Sequence, residues 1–182
     1  MIYVTSDWHF SHDKEFVWKN RGYSSVDDMN ENIIQIHNHL VHMEDEVYVL
    51  GDCCLGGSAA LAKNKQLMER LNGKLHIIFG NHCTAQRQEM YKNLSNVVET
   101  GYAAVLRYKK YNFYLSHYPT LCSNKDSDKP LKIRTINLCG HSHTSNPFSD
   151  WDKGLIYHVE WDAHGKPVLL DNIIEDIKNH VK

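Results

Sequence analysis

The sequence has no cysteine pair at CxxC spacing, no apolar run approaching a membrane span and no excess of positive charge. Each absence removes a class of function. Cys53, Cys54, Cys83, Cys122 and Cys139 make an odd set of five, which reads as reduced thiols of a cytoplasmic protein rather than a disulfide framework. The chain opens directly as a strand, without the basic and apolar regions of a secretion signal, so neither export nor a membrane partner is expected. A formal charge of −2 gives no basic field for gripping extended nucleic acid, although a small nucleotide or a nucleic-acid end remains a suitable substrate. There is also no repeat, low-complexity tract or linker. At 182 residues, with 42% apolar and 23% charged residues, the chain is expected to form one soluble globular domain over 1–182.

Histidine is the residue in excess. Of 13, six (His9, His12, His82, His117, His141 and His143) lie at or beside the ends of short apolar runs. Ile2–Ser6 runs into Asp7-Trp8-His9, Val47–Gly51 into Asp52, and Leu75–Gly80 into Asn81-His82. Asn112–Ser116 runs into His117, and Ile136–Gly140 into His141-Ser142-His143. Strands that all end this way deliver their polar residues to one edge, where α/β proteins place ligands. Asp7 and His9 are spaced i, i+2, so an extended backbone sends both side chains to one face, and His141 and His143 repeat the spacing. The carboxylate of Asp52 has two oxygens and can bridge two cations. Oxygen and nitrogen donors without thiolate suit Mn, Fe, Zn, Ni or Co ions.

Between the first two strands, Ser25 is expected to cap a helix carrying Met29, Ile33, Ile36 and Leu40 at three- and four-residue steps. A second helix opens near Ser58, carries Leu61, Leu67, Met68 and Leu71, and stops at Asn72-Gly73. A third covers Thr84 to Asn93, and a last one about Asp171 to His180. The alternation of strands and helices up to residue 93 predicts a parallel sheet. From Val97 onward, short runs and tight polar turns predict an antiparallel meander, giving an α/β fold of two packed sheets with helices outside. Residues 8–26, 118–134 and 144–154 are expected to rim the site, since they leave from the ligand-bearing ends.

Several residues near the site have plainer readings. His37, His39 and His42 fit a solvated helix face. Cys53 and Cys54 fit packing beneath the site. Trp8, Phe10 and Trp18 fit loop-anchoring core rather than a stacking platform for a nucleobase. His12 divides between a substrate-phosphate contact and an ordinary loop histidine.

DxH, GD, GNH, a lone downstream His and GHxH, in this order, resemble the calcineurin-like metallophosphoesterases, and the set spans Asp7 to His143. The opening Thr5–His12, Ser116-His117-Tyr118-Pro119 and the late segment Val159 to Val168, with its Asp and Pro-Val, resemble a small bacterial and phage branch of that family. The resemblance implies a two-sheet β-sandwich flanked by helices and a site for two metal ions. One ion falls to Asp7, His9 and His143, the other to Asn81, His117 and His141, with Asp52 as bridge. It further implies phosphoester hydrolysis by a hydroxide bridging the two ions. Asp52 and His82 are then the catalytic residues, with His82 protonating the leaving oxygen or stabilising its charge, and Asn81 contacts substrate, with His12 the further candidate for that contact from its place in the opening loop. Small phosphodiesters, phosphomonoesters or nucleotides are the implied substrates. The alternatives are a non-catalytic protein-binding scaffold and an RNA-end or cyclic-nucleotide phosphodiesterase. One departure stands out: Cys83 occupies the place where the family usually has an acid to orient the GNH histidine. The Asp-Arg-Gly continuation of protein phosphatases after GD is also missing.

Overall fold

The computed structural model describes residues 1–120, 130, 133–149 and 155–180. Its strands are β1 (Ile2–Thr5), β2 (Glu46–Leu50), β3 (Lys74–Ile78), β4 (Val97–Gly101), β5 (Ala103–Tyr108), β6 (Tyr111–Ser116), β7 (Thr135–Cys139), β8 (Ile156–His158) and β9 (Val168–Leu169). The helices are α1 (Glu15–Trp18), α2 (Val26–Leu40), α3 (Leu61–Glu69), α4 (Ala85–Lys92), α5 (Trp161–His164) and α6 (Leu170–His180). One sheet has the order β4-β3-β2-β1-β9 and the other β5-β6-β7-β8. With helices flanking them, these are the two sheets expected of the sequence.

The helix signals locate the helices closely. The Ser25 hydroxyl accepts the Asp28 N–H at 3.1 Å and caps α2, and Thr84 caps α4 in the same way. Ser58–Ala60 forms a single 3-10 turn before α3. Alternation along the inner strands then divides the apolar residues between two cores. Tyr3, Val47, Val49, Leu75 and Ile77 face α2, α3 and α4 through Met29, Ile33, Leu67, Met68 and Tyr91. Val4, Leu50 and Ile78 face the second sheet through Phe113, Leu115, Ile136 and Leu138, with Ile173, Ile174 and Ile177 of α6 closing the cluster.

The meander expected after Val97 is only partly formed. β5 and β6 are antiparallel, joined at Lys109 and Lys110, whose φ of 46° and 71° give the left-handed pair that a tight hairpin needs. The pairs β6/β7 and β7/β8 are parallel instead. The reason is the site: β6 and β7 both carry a ligand candidate at their C-terminal ends, and neighbours delivering residues to one edge must run the same way. Of the expected rim segments, most of 118–134 and residues 150–154 fall outside the described residues, as do Cys122 and Trp151. In the 8–26 segment, Trp8 and Phe10 are fully buried and belong to the core, whereas Phe16 is exposed. Cys53 and Cys54 are buried as expected.

His37 departs from the solvated face assigned to it, while His39 and His42 are exposed as expected. Its ring stands edge-on to Trp8 at 5.5 Å, and Nε2 lies 2.9 Å from the Asn72 carbonyl oxygen. Burial pushes its pKa down to about 4. The unfolded chain therefore takes up this proton first, near pH 6.5, and stability present above that pH is lost as pH falls towards 4. The expected loss is about 3 kcal/mol. Urea unfolding between pH 7 and 4 should show it, and His37→Gln should flatten that part of the slope.

Candidate metal centre

β1, β2 and β3 run parallel, and the chain leaving each of them carries a ligand candidate within three residues. The backbone there is unusual. Asp7 and His9 have φ of 57°, Asp52 48°, His141 75° and His143 50°. Left-handed conformation at residues other than glycine costs roughly 1–3 kcal/mol each and gathers where function demands it. The extended arrangement expected of Asp7 and His9 is thus replaced by a left-handed one. Their N–H groups donate to the carbonyls of Gly51 and Asp52, both at 3.1 Å, which fixes this turn against the end of β2. Their side chains still meet, with Asp7 Oδ1 3.6 Å from His9 Nε2.

The glycines of GD, GN and GH have a steric cause. A β-carbon on Gly51 would lie closer than 3.0 Å to the His117 ring, one on Gly80 to the Asp52 carboxylate, and one on Gly140 to the Asp7 carboxylate. Each motif's glycine therefore leaves room for a ligand candidate from another motif, which is how five separate strand ends interlock.

Two groups of donors result. Atoms of Asp7, His9 and His143 lie within 4.8 Å of one another, and so do atoms of Asp7, Asp52 and His117. Asp7, at the join, is common to both. Asn81 Oδ1 completes the second group, 2.9 Å from His117 Nε2 and 3.0 Å from His141 Nδ1. The seven candidate ligands are therefore brought together, and the donor atoms fit cations. His117 Nδ1 lies 2.9 Å from the Leu50 carbonyl and must donate to it, which leaves a lone pair on Nε2 of the neutral ring. That lone pair faces two further acceptors, Asn81 Oδ1 at 2.9 Å and Asp52 Oδ2 at 3.3 Å. A cation among the three, or a proton on Nε2, would satisfy all of them. Asp7 Oδ1 and His9 Nε2 are likewise buried without a hydrogen-bond partner among the described residues.

The titration behaviour has the same origin. Burial alone would raise the Asp7 carboxyl, but the His9 and His117 imidazoles hold it below its ordinary range. Burial opposes and His117 lowers Asp52 in the same manner. Burial alone would depress His117, and Asp52 and Asp7 raise it.

Supports that were not assigned a role from the sequence stand behind these donors. Asp162 Oδ2 lies 2.7 Å from His143 Nδ1, which turns Nε2 towards Asp7 Oδ1 at 3.7 Å. This hydrogen bond is the main cause of the raised His143 pKa. Arg21 grips Asp162 with two bonds, Nε to Oδ1 at 2.9 Å and a terminal nitrogen to Oδ2 at 2.7 Å. It also donates to the carbonyls of Asp7 at 2.9 Å and Trp8 at 3.0 Å. Asp162 is the acid in the late segment ending in Pro-Val, so a signal existed; Arg21 was visible only as a member of a rim segment. His141 is fixed through its N–H, which donates to Asp7 Oδ2 at 3.0 Å.

His82 is half exposed, with Nε2 4.0 Å from Asp52 Oδ2. Among the described residues no carboxylate hydrogen-bonds its ring. Its backbone is what is fixed: the N–H donates to Asp52 Oδ1 at 2.9 Å and the carbonyl accepts from Arg87 at 2.6 Å. Cys83 turns inward, its Sγ accepting the Gly80 N–H at 3.2 Å, and burial pushes its thiol up to about 11. His12 Nδ1 lies 2.9 Å from His9 Nδ1, and burial, with the neighbouring His9 and His82 rings, pushes His12 down to about 4. A cavity of about 600 Å³ opens over His9, His82 and His143. A hollow of about 680 Å³ between α3 and α4 touches none of the candidate ligands. No described helix is long and apolar enough to cross a membrane.

Several known proteins are similar to this chain. The uncharacterized protein MJ1445 of Methanocaldococcus jannaschii is 32% identical over 97% of this chain and 91% of its own length. The Gene 66 protein of Mycobacterium phage D29 is 26% identical over 98% of this chain and 96% of its own. The crystal structure of a protein of unknown function, AQ665 from Aquifex aeolicus, superposes with a TM-score of 0.70 at 18% identity, covering 96% of this chain and 98% of that one, and so shares the fold. Residues 1–159, which contain all five strand-end motifs, match the calcineurin-like phosphoesterase superfamily domain, and the chain belongs to that superfamily.

Proposed function

We propose that this protein is a dinuclear metal-dependent phosphoric ester hydrolase acting on small phosphodiesters, phosphomonoesters or nucleotides, with residues 1–182 forming one catalytic unit in a reducing, cytoplasmic setting. The observation that carries the reading is the meeting of His117 Nε2, Asn81 Oδ1 and Asp52 Oδ2 as three acceptors. Asp7, His9 and His143 would hold one cation and Asn81, His117 and His141 the other, with Asp52 between them. Divalent ions of the Mn, Fe, Zn, Ni or Co type supply a water acidified towards a pKa of about 7 and charge neutralisation on the phosphoryl oxygens.

The chain's own residues do the rest. Asp162 and Arg21 keep His143 in the tautomer that presents Nε2. His12 does the same for His9, whose Nδ1 it meets. His82, fixed by its backbone and open to the cavity, donates the proton to the leaving oxygen. Asn81 and His12 border the phosphoryl group.

Bis(p-nitrophenyl) phosphate tests the activity. Hydrolysis should disappear with a chelator and return with Mn²⁺. Absence of hydrolysis by protein reloaded with each of the five metals would favour a binding scaffold instead.

A further inference from the structure

The ester substituent of the substrate has its own wall in the cavity. The floor consists of His9, His82 and His143, where a phosphoryl group would lie if the phosphoesterase reading, on which this inference rests, is right. Beside that floor the wall is formed by Phe16, Val17 and Asn20. The aromatic residues of this segment divide sharply: Trp8 and Phe10 are fully buried, whereas Phe16 is 66% exposed. Its ring makes a T-shaped contact with His12 at 6.0 Å between centroids and is otherwise largely open to solvent.

An exposed phenyl face is a poor surface for water and a good one for another flat ring. Val17 continues the apolar wall, and Asn20 brings an amide with both donor and acceptor to it. A methyl or glyceryl substituent would leave the ring face unused. The cavity, about 600 Å³, is of small-ligand size. The formal charge of −2 provides no track for a longer polyanion. We propose that the substrate's phosphate carries a nucleoside, whose base stacks on Phe16 while its phosphate rests over His9 and His143.

Adenosine monophosphate and ribose 5-phosphate, each with its bridging ester oxygen replaced by carbon so that binding is not followed by hydrolysis, present the same phosphoryl group and differ by the base, so their equilibrium binding to Mn²⁺-loaded protein, measured by calorimetry, isolates the base. The adenosine analogue should bind about tenfold or more tightly than the ribose analogue. Phe16→Ala should bring the ratio close to one, and Phe16→Trp should preserve it. Because Phe16 is exposed, neither change should disturb folding, which a thermal melt confirms. Equal binding of the two ligands by the parent protein, or an unchanged ratio in Phe16→Ala, would overturn the proposal. If hydrolysis of bis(p-nitrophenyl) phosphate is present while the base adds nothing, the nucleoside fails and the phosphoesterase stands. If hydrolysis is absent as well, both fail.

Discussion

Asp52→Asn is expected to lower kcat/KM for phosphodiester hydrolysis by at least about 10³-fold, while leaving the metal-free protein folded and only slightly less stable than the parent. The two effects separate because of what the substitution keeps. Asparagine tolerates the φ of 48° at this position. It retains Oδ1, which accepts the His82 N–H at 2.9 Å. What it replaces is the charged Oδ2 3.3 Å from His117 Nε2, and the new amide group can donate to that lone pair. The charged ligand proposed to bridge the two cations is lost, and with it the cation that it would share. In the metal-free protein Asp52 stabilises the fold as a carboxylate beside His117, so the substitution loses that attraction while keeping the hydrogen bonds, and the melting temperature should fall only slightly. Kinetics with saturating Mn²⁺ and thermal melts in chelator check the two halves. A large fall in melting temperature together with lost activity would assign Asp52 a structural role instead.

Asp162→Asn is expected to weaken cation binding and activity by about 10–100-fold, in a way that added Mn²⁺ restores. His143 keeps its own ligand atom but loses the carboxylate that holds its tautomer, so affinity suffers before chemistry does. The restoration separates it from Asp52→Asn, where no concentration of Mn²⁺ should recover the rate. Asp162→Ala should also cost about 2–3 kcal/mol, because it strands the Arg21 guanidinium, whose side chain is only 5% exposed. The loss stays at the lower end for a buried pair because Arg21 keeps its bonds to the Asp7 and Trp8 carbonyls, and because Asp162 itself is 21% exposed. Urea titration checks this value.

What the sequence made legible follows from how local each signal is. Ser25 and Thr84 announce their helices because capping is settled within three residues. The ligand candidates are legible because each stands at the end of an apolar run, and the family resemblance ties the runs together. The parallel course of β6 and β7 was not legible: short runs joined by polar turns look alike whether the next strand returns or crosses over, and only the shared edge decides. His37 was misjudged because neither the ring of Trp8 nor the Asn72 carbonyl is near it in sequence. The left-handed backbone at Asp7, His9 and Asp52 is also invisible to side-chain spacing, since it arises from hydrogen bonds between two strand ends. The Arg21–Asp162–His143 chain joins residues 141 positions apart and could be found only by folding.

Two donor groups built to hold two cations is the central claim, and elemental analysis of metal-loaded protein after exhaustive desalting tests it most directly. The parent should retain about two equivalents of divalent transition metal and Asp52→Asn about one or fewer. Parent protein that retains none after incubation with each candidate ion, or an Asp52→Asn variant that retains as much as the parent, would contradict it.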